Sequence, residues 1–130
     1  MSALVVDTSS WISYFAGSGR PADAVLIDDA LKEGRLHLPP IVAAELLSGR
    51  MSARQRKELE DLLDDLPLCI SDLTHWLRVG RLRADLAAKG IAVSTPDAHI
   101  AQCALDLGAD LLTEDEIFQH VAKHYSLRIP

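Results

Sequence analysis

Short apolar runs alternate along this chain with longer stretches in which apolar residues recur at helical spacing. Leu4-Val5-Val6 is a brief, mostly β-branched run that reads as a buried strand. Asp7 and three hydroxyl residues, Thr8, Ser9 and Ser10, follow it directly. Ser9 or Ser10 is the expected cap of a helix through Phe15, ended by Gly17 and Gly19. Pro21 opens a helix to about Glu33, with Gly34 as its stop. Leu36-His37-Leu38 predicts a second strand, and Pro39-Pro40 starts the helix "IVAAELLSG", which halts at Gly49. Residues 52–65 pattern as a polar helix buried through Leu59, Leu62, Leu63 and Leu66. Pro67 ends it, and Leu68-Cys69-Ile70 is the next expected strand.

In the second half Asp72 caps a predicted helix from about Leu73 to Lys89, closed by Gly90. "STPDAHIAQCALDLG" places Thr95 at a cap, Pro96 at the first helical position and Gly108 past the end. Asp110 to Thr113 predicts a strand, Glu114 to about His124 a short helix, and Leu127-Arg128-Ile129 a last strand. Short strands alternating with helices predict βαβ units, an α/β fold with a short, mainly parallel central sheet. No repeat, linker or low-complexity tract interrupts the pattern, and 130 residues suit one domain, 1–130.

Composition changes this picture little. Hydrophobic residues make up 48% and charged residues 25%, ordinary for a folded globular chain. The net charge of −6 argues against a general nucleic-acid binder but leaves room for a nuclease whose acids share one pocket. Cys69 and Cys103 form no C-x-x-C pair and read as reduced core thiols, which suits a cytoplasmic location. The N-terminus has no basic start, and no apolar run nears the roughly 18 residues that a span requires, so neither a leader nor a membrane segment is expected.

Ligands of open α/β sheets sit beyond the carboxyl ends of the strands. Asp7 follows the first strand and Asp115 the Asp110–Thr113 strand. Glu45 lies in "VAAELL", flanked by Ile41, Val42 and Leu46, on a helix that reads as mostly buried. Asp97 stands in the first turn of its helix. Each has a structural alternative: a turn acid at Asp7, an edge residue with its carboxylate in water at Glu45, a helix-dipole partner at Asp97. "TEDE" reads as a capping box that pairs Thr113 with Glu116 and leaves Asp115 free. Together they point elsewhere. Carboxylates gathered at one sheet edge repel by a few kcal/mol at about 4 Å in a medium of intermediate dielectric. Such a cluster holds either protons or a cation, and an all-oxygen set favours Mg2+ or Mn2+.

"VVDTSSWI", "VAAELLSG" and "TPDAHIAQCALDLGADLLTEDEIF" resemble, in order and spacing, the successive motifs of the PIN-domain family, and are most similar to its VapC-type toxins. The likeness runs from Leu4 to Ile129. It implies a three-layer α/β/α fold and a metal-dependent endoribonuclease, the toxin of a bacterial toxin–antitoxin pair. The family's four acids fall on Asp7, Glu45, Asp97 and Asp115, and Ser9 and Thr113 match positions whose hydroxyls support the site. The family's last motif often reads T-x-D-x-D-F. Here "TEDEIF" departs from it, and Glu116 competes with Asp115 for the fourth position. The resemblance further implies an RNA substrate, a cognate antitoxin covering the acids with a basic side chain, and a homodimer, for which Trp11, Ile12 and Phe15 offer an apolar stripe.

For phosphate contacts the candidates are Arg50, Arg54, Arg56 and Lys57 in "GRMSARQRK" and Arg78, Arg81 and Arg83 on the long helix. Glu58, Glu60 and Asp61 stand close enough in sequence to neutralise the first group. His120 and His124 share a predicted helix face that a zinc ion could use, without an evident third ligand, and His99 is expected to point away from the acids. Trp11, Tyr14 and Trp76 read as packing residues. Two rivals remain open. A phosphoacceptor receiver would need paired acids after the first strand and a late lysine near Thr113, neither of which is present. A non-catalytic binding protein of the same fold would not need all four acids.

Overall fold

A computed structural model describes residues 2–130. Its centre is a sheet of three parallel strands, β1 (Leu4–Val6), β2 (Leu36–His37) and β3 (Asp110–Leu112), in the order β2-β1-β3. β1 is buried on both faces, as a fully covered parallel strand must be, and its three residues are all apolar. Leu4 pairs with both Leu36 and Asp110, so the flanking strands meet the middle one in one register.

Among the described residues, seven helices connect and cover the sheet: α1 (Thr8–Ala16), α2 (Pro21–Lys32), α3 (Pro40–Leu47), α4 (Ala53–Asp64), α5 (Leu73–Ala88), α6 (Thr95–Leu107) and α7 (Ile117–Ala122). Proline and glycine punctuate them as the pattern predicts. Pro21 and Pro40 each open a helix, and Gly17 and Gly108 close theirs in the left-handed region, at φ 67° and 60°, where a side chain would be strained. α6 runs deepest. Ala98 to Cys103 and Ala104 are all buried, and its small residues let α5, α3 and β1 pack closely against it.

Several local expectations give way. Asp7, rather than Ser9 or Ser10, is the N-cap of α1, because its own carboxylate already accepts from the Thr8 amide. Ser94, not Thr95, caps α6, its Oγ accepting from the Asp97 amide; of two adjacent hydroxyls, the one at the extended residue wins. Leu68–Ile70 is not a strand. Leu38 exchanges backbone bonds with Pro67 and Cys69, and the chain then turns away to the Asp72 cap. Leu127–Ile129 likewise contributes a single bridge, between Asp110 and Arg128. α7 begins at Ile117 rather than Glu114, and Glu116 makes no capping bond, so the predicted box does not form.

Candidate active site

β1 lies between its two neighbours, so the strand order reverses at its carboxyl end, where open α/β sheets form their crevice. Asp7 stands there, and its amide donates to Leu112 O at 2.9 Å, continuing the ladder one residue past β1. Only 5% of it is exposed, so its charge needs partners. Oδ2 accepts from Ser9 Oγ and Thr113 Oγ1, both at 2.9 Å, and Oδ1 accepts from Thr8 N at 2.8 Å. A carboxylate accepts about four hydrogen bonds, so one direction is left, on Oδ1.

The same hydroxyls tie in the neighbouring segments. Ser9 Oγ accepts from the Glu114 amide, and Thr113 Oγ1 accepts from the Asp115 amide at 3.0 Å. That second bond explains the missing capping box: Thr113 is committed to Asp7 and to the turn after β3. Asp115 Oδ1 accepts from Ile117 N, which leaves Oδ2 without a protein partner among the described residues. Thr8 Oγ1 donates to Glu45 Oε1 at 2.8 Å, fixing a glutamate that α3 presents on its exposed side. Of the two readings of Glu45, the edge residue with its carboxylate in water describes its exposure. Sequence reasoning also missed Thr8; the only signal was its place beside a candidate acid.

Asp97 completes the group from the first turn of α6. Burial pushes its carboxyl above the usual range, and the charges of Asp7, Asp115 and Glu45 push the same way, against hydrogen bonding from Ser94. The charges of acids from three other segments thus reach Asp97. Among the described residues, no lysine, arginine or histidine forms an ion pair with any of them.

The basic candidates lie outside this pocket and most are occupied. Arg54 pairs with Glu58, Lys57 with Asp61, and Arg78 with Asp106. Arg56 donates to Leu47 O and Arg83 to Val93 O, both bracing backbone. Arg50 and Arg81 form no ion pair among the described residues. His120 and His124 are exposed, and His124 falls past the end of α7, so the pair does not share a helix face. His99 is fully buried, bonded to His75 and stacked on Trp76, a more definite setting than merely pointing away. Trp11 is buried, which removes it from any surface stripe; Ile12 and Phe15 remain exposed.

Residues 4–124 match the PIN domain, and the chain belongs to the PIN-domain family. It is a homologue of VapC ribonucleases. It is 31% identical over 129 residues to the VapC ribonuclease Mb1587 of Mycobacterium bovis, and equally to ribonuclease VapC11 of Mycobacterium tuberculosis, covering 96% of either chain in each case. The fold matches the VapBC structure from Salmonella typhimurium, which was solved bound to DNA, with a TM-score of 0.79 at 21% identity over 100% of this chain and 98% of that one. VapBC2 from Rickettsia felis, bound to a promoter fragment, gives 0.77 at 20% identity over 98% and 97%. Among the described residues, no helix is long and apolar enough to cross a membrane.

Proposed function

We propose that this chain is a divalent-metal-dependent endoribonuclease and the toxin of a toxin–antitoxin pair. The observation that carries the reading is the charge of Asp7, Glu45 and Asp115 acting on Asp97, with no basic side chain paired to any of the four among the described residues. The donor set is all oxygen, which fits Mg2+, or Mn2+ in its place. Asp7, through its remaining Oδ1 direction, and Asp97 would hold the ion most directly, with Glu45 and Asp115 completing the set. The chemistry such an ion supplies is activation of water toward phosphorus and neutralisation of charge on the leaving oxygen.

The chain's own contribution is positioning. Ser9 and Thr113 lock the Asp7 carboxylate from one side, and Thr8 holds both Asp7 and Glu45. Asp115 rather than Glu116 serves as the fourth acid, since Asp97 feels the charge of Asp115. RNA phosphate meets Arg50 and Arg81 most readily; Arg54 and Arg78 must first leave their carboxylate partners. The antitoxin places a basic side chain over the acids, as the names of the VapBC relatives suggest a paired protein. Ile12 and Phe15 form part of a homodimer surface, so Phe15→Glu lowers the solution mass toward that of one chain; an unchanged mass counts against this surface.

Mapping of cut sites on total cellular RNA tests the activity. Discrete sites are expected with Mg2+ and wild-type protein and are absent with a chelator or with Asp97→Asn. Equal cleavage by Asp97→Asn and wild type overturns the reading.

A further inference from the structure

A second polar cluster lies between α5 and α6, made of nitrogen and sulfur rather than oxygen. His75 and His99 are buried, and their Nε2 and Nδ1 atoms stand 2.7 Å apart. Cys103, one helical turn after His99 and also buried, places Sγ 4.0 Å from His99 Nδ1 and 3.9 Å from Nε2. One ligand atom from each of the three residues lies within 4.8 Å of the others. Cys69 is also buried and lines the same groove as Cys103.

We propose that this cluster is a binding site for a single Zn2+ ion, held by His75, His99 and Cys103, with its fourth position open to the groove. Four further observations support it. The donor set is two imidazoles and a thiolate, which zinc accepts and Mg2+ does not. His75 is already arranged as a ligand: its Nδ1 bonds Asp106 Oδ2 at 3.2 Å, which leaves Nε2 aimed at the cluster. A carboxylate behind a ligating histidine fixes the ring and raises its basicity. Asp106 is itself braced by Arg78 and Gln102, both 2.9 Å from Oδ1, so it stays an acceptor for His75. Lastly, a groove lined by Cys69, Thr74, His75, Arg78, Cys103 and Asp106 gives an ion access from solvent.

The geometry is close to what is required. Tetrahedral bonds of about 2.0–2.3 Å separate neighbouring ligand atoms by roughly 3.3–3.7 Å. The two rings must therefore open by about half an ångström, and the thiol must approach His99 by a few tenths and His75 by up to about an ångström. Protons balance: the one on the Cys103 thiol leaves to solvent, and the one shared by the rings passes to His99 Nε2. An ion there ties α5 to the helix that carries Asp97.

Cobalt(II) is the probe. The full chain, reduced and freed of metal, is titrated with Co2+ in excess Mg2+, so that the oxygen pocket does not compete. One equivalent is expected to give a thiolate-to-cobalt charge-transfer band and tetrahedral visible bands, both erased by Zn2+. Cys103→Ser loses the charge-transfer intensity by half or more, and Asp7→Asn keeps it. Zn2+ raises the melting temperature of wild type by about 5 °C or more, and of Cys103→Ser by less than half as much. The wild-type titration decides without any variant. Absence of a thiolate band in the folded protein overturns the proposal, and so does a band of undiminished intensity in folded Cys103→Ser.

Discussion

α6 takes part in two polar sites only two residues apart in sequence, and they solve the problem of buried polarity in opposite ways. Asp97 opens into a group of like charges, where burial and three acidic neighbours make its ionised form less favourable and only Ser94 favours it. His99 closes a chain of bonds through His75 to Asp106, where each member meets a partner. Burial, reinforced by the His75 ring, pulls His99 down to about 4, so its ring is neutral near pH 7. The first gathers like charges that no basic side chain pairs with among the described residues. The second has internal partners in its metal-free form. Perturbed acids cluster at functional sites, and that contrast is why the proposed reaction is assigned to the oxygen pocket.

Breaking the pocket has the largest expected effect. Asp7→Asn lowers Mg2+-dependent RNA cleavage by about a hundredfold or more, measured as initial rate, because the neutral amide no longer holds the ion. It leaves the fold nearly as stable, since asparagine caps helices as well as aspartate. Breaking the satisfied cluster has the reverse signature. Asp106→Ala strips the His75 ring of its carboxylate partner, with an expected cost of about 1–3 kcal/mol in denaturant unfolding, while cleavage by the folded fraction persists. The smallest effect is the most pointed. A carboxyl raised by folding contributes stability that is complete below its unfolded value and is lost as pH rises through the folded one. Asp97→Asn therefore raises the melting temperature of the metal-free protein at neutral pH slightly and flattens its dependence on mildly acidic pH. A lower melting temperature in that variant contradicts the charge-repulsion account.

The element order was legible because proline and glycine mark helix ends by fixed backbone requirements that neighbours seldom override. The candidate acids were chosen for a related reason: a parallel sheet gathers the ends of its strands at one edge. What escaped notice depends on competition between near-equals. Ser94 and Thr95 are both capping residues, and only the backbone angle separates them. Thr113 was readable as a cap, but Asp7 is a stronger partner, and the box gave way. The His75–His99 contact joins residues 24 apart, which periodicity within one helix cannot reveal. The one available hint was His99 and Cys103 at a spacing of four on α6.

The strand order β2-β1-β3 also sets a schedule for synthesis. Asp7 and Glu45 leave the ribosome early, but α6, β3 and the turn bearing Asp115 are made last. A nascent chain that ends before Thr95 lacks two of the four acids and one side of its sheet. The set of four acids is therefore not complete until almost the whole chain has been delivered.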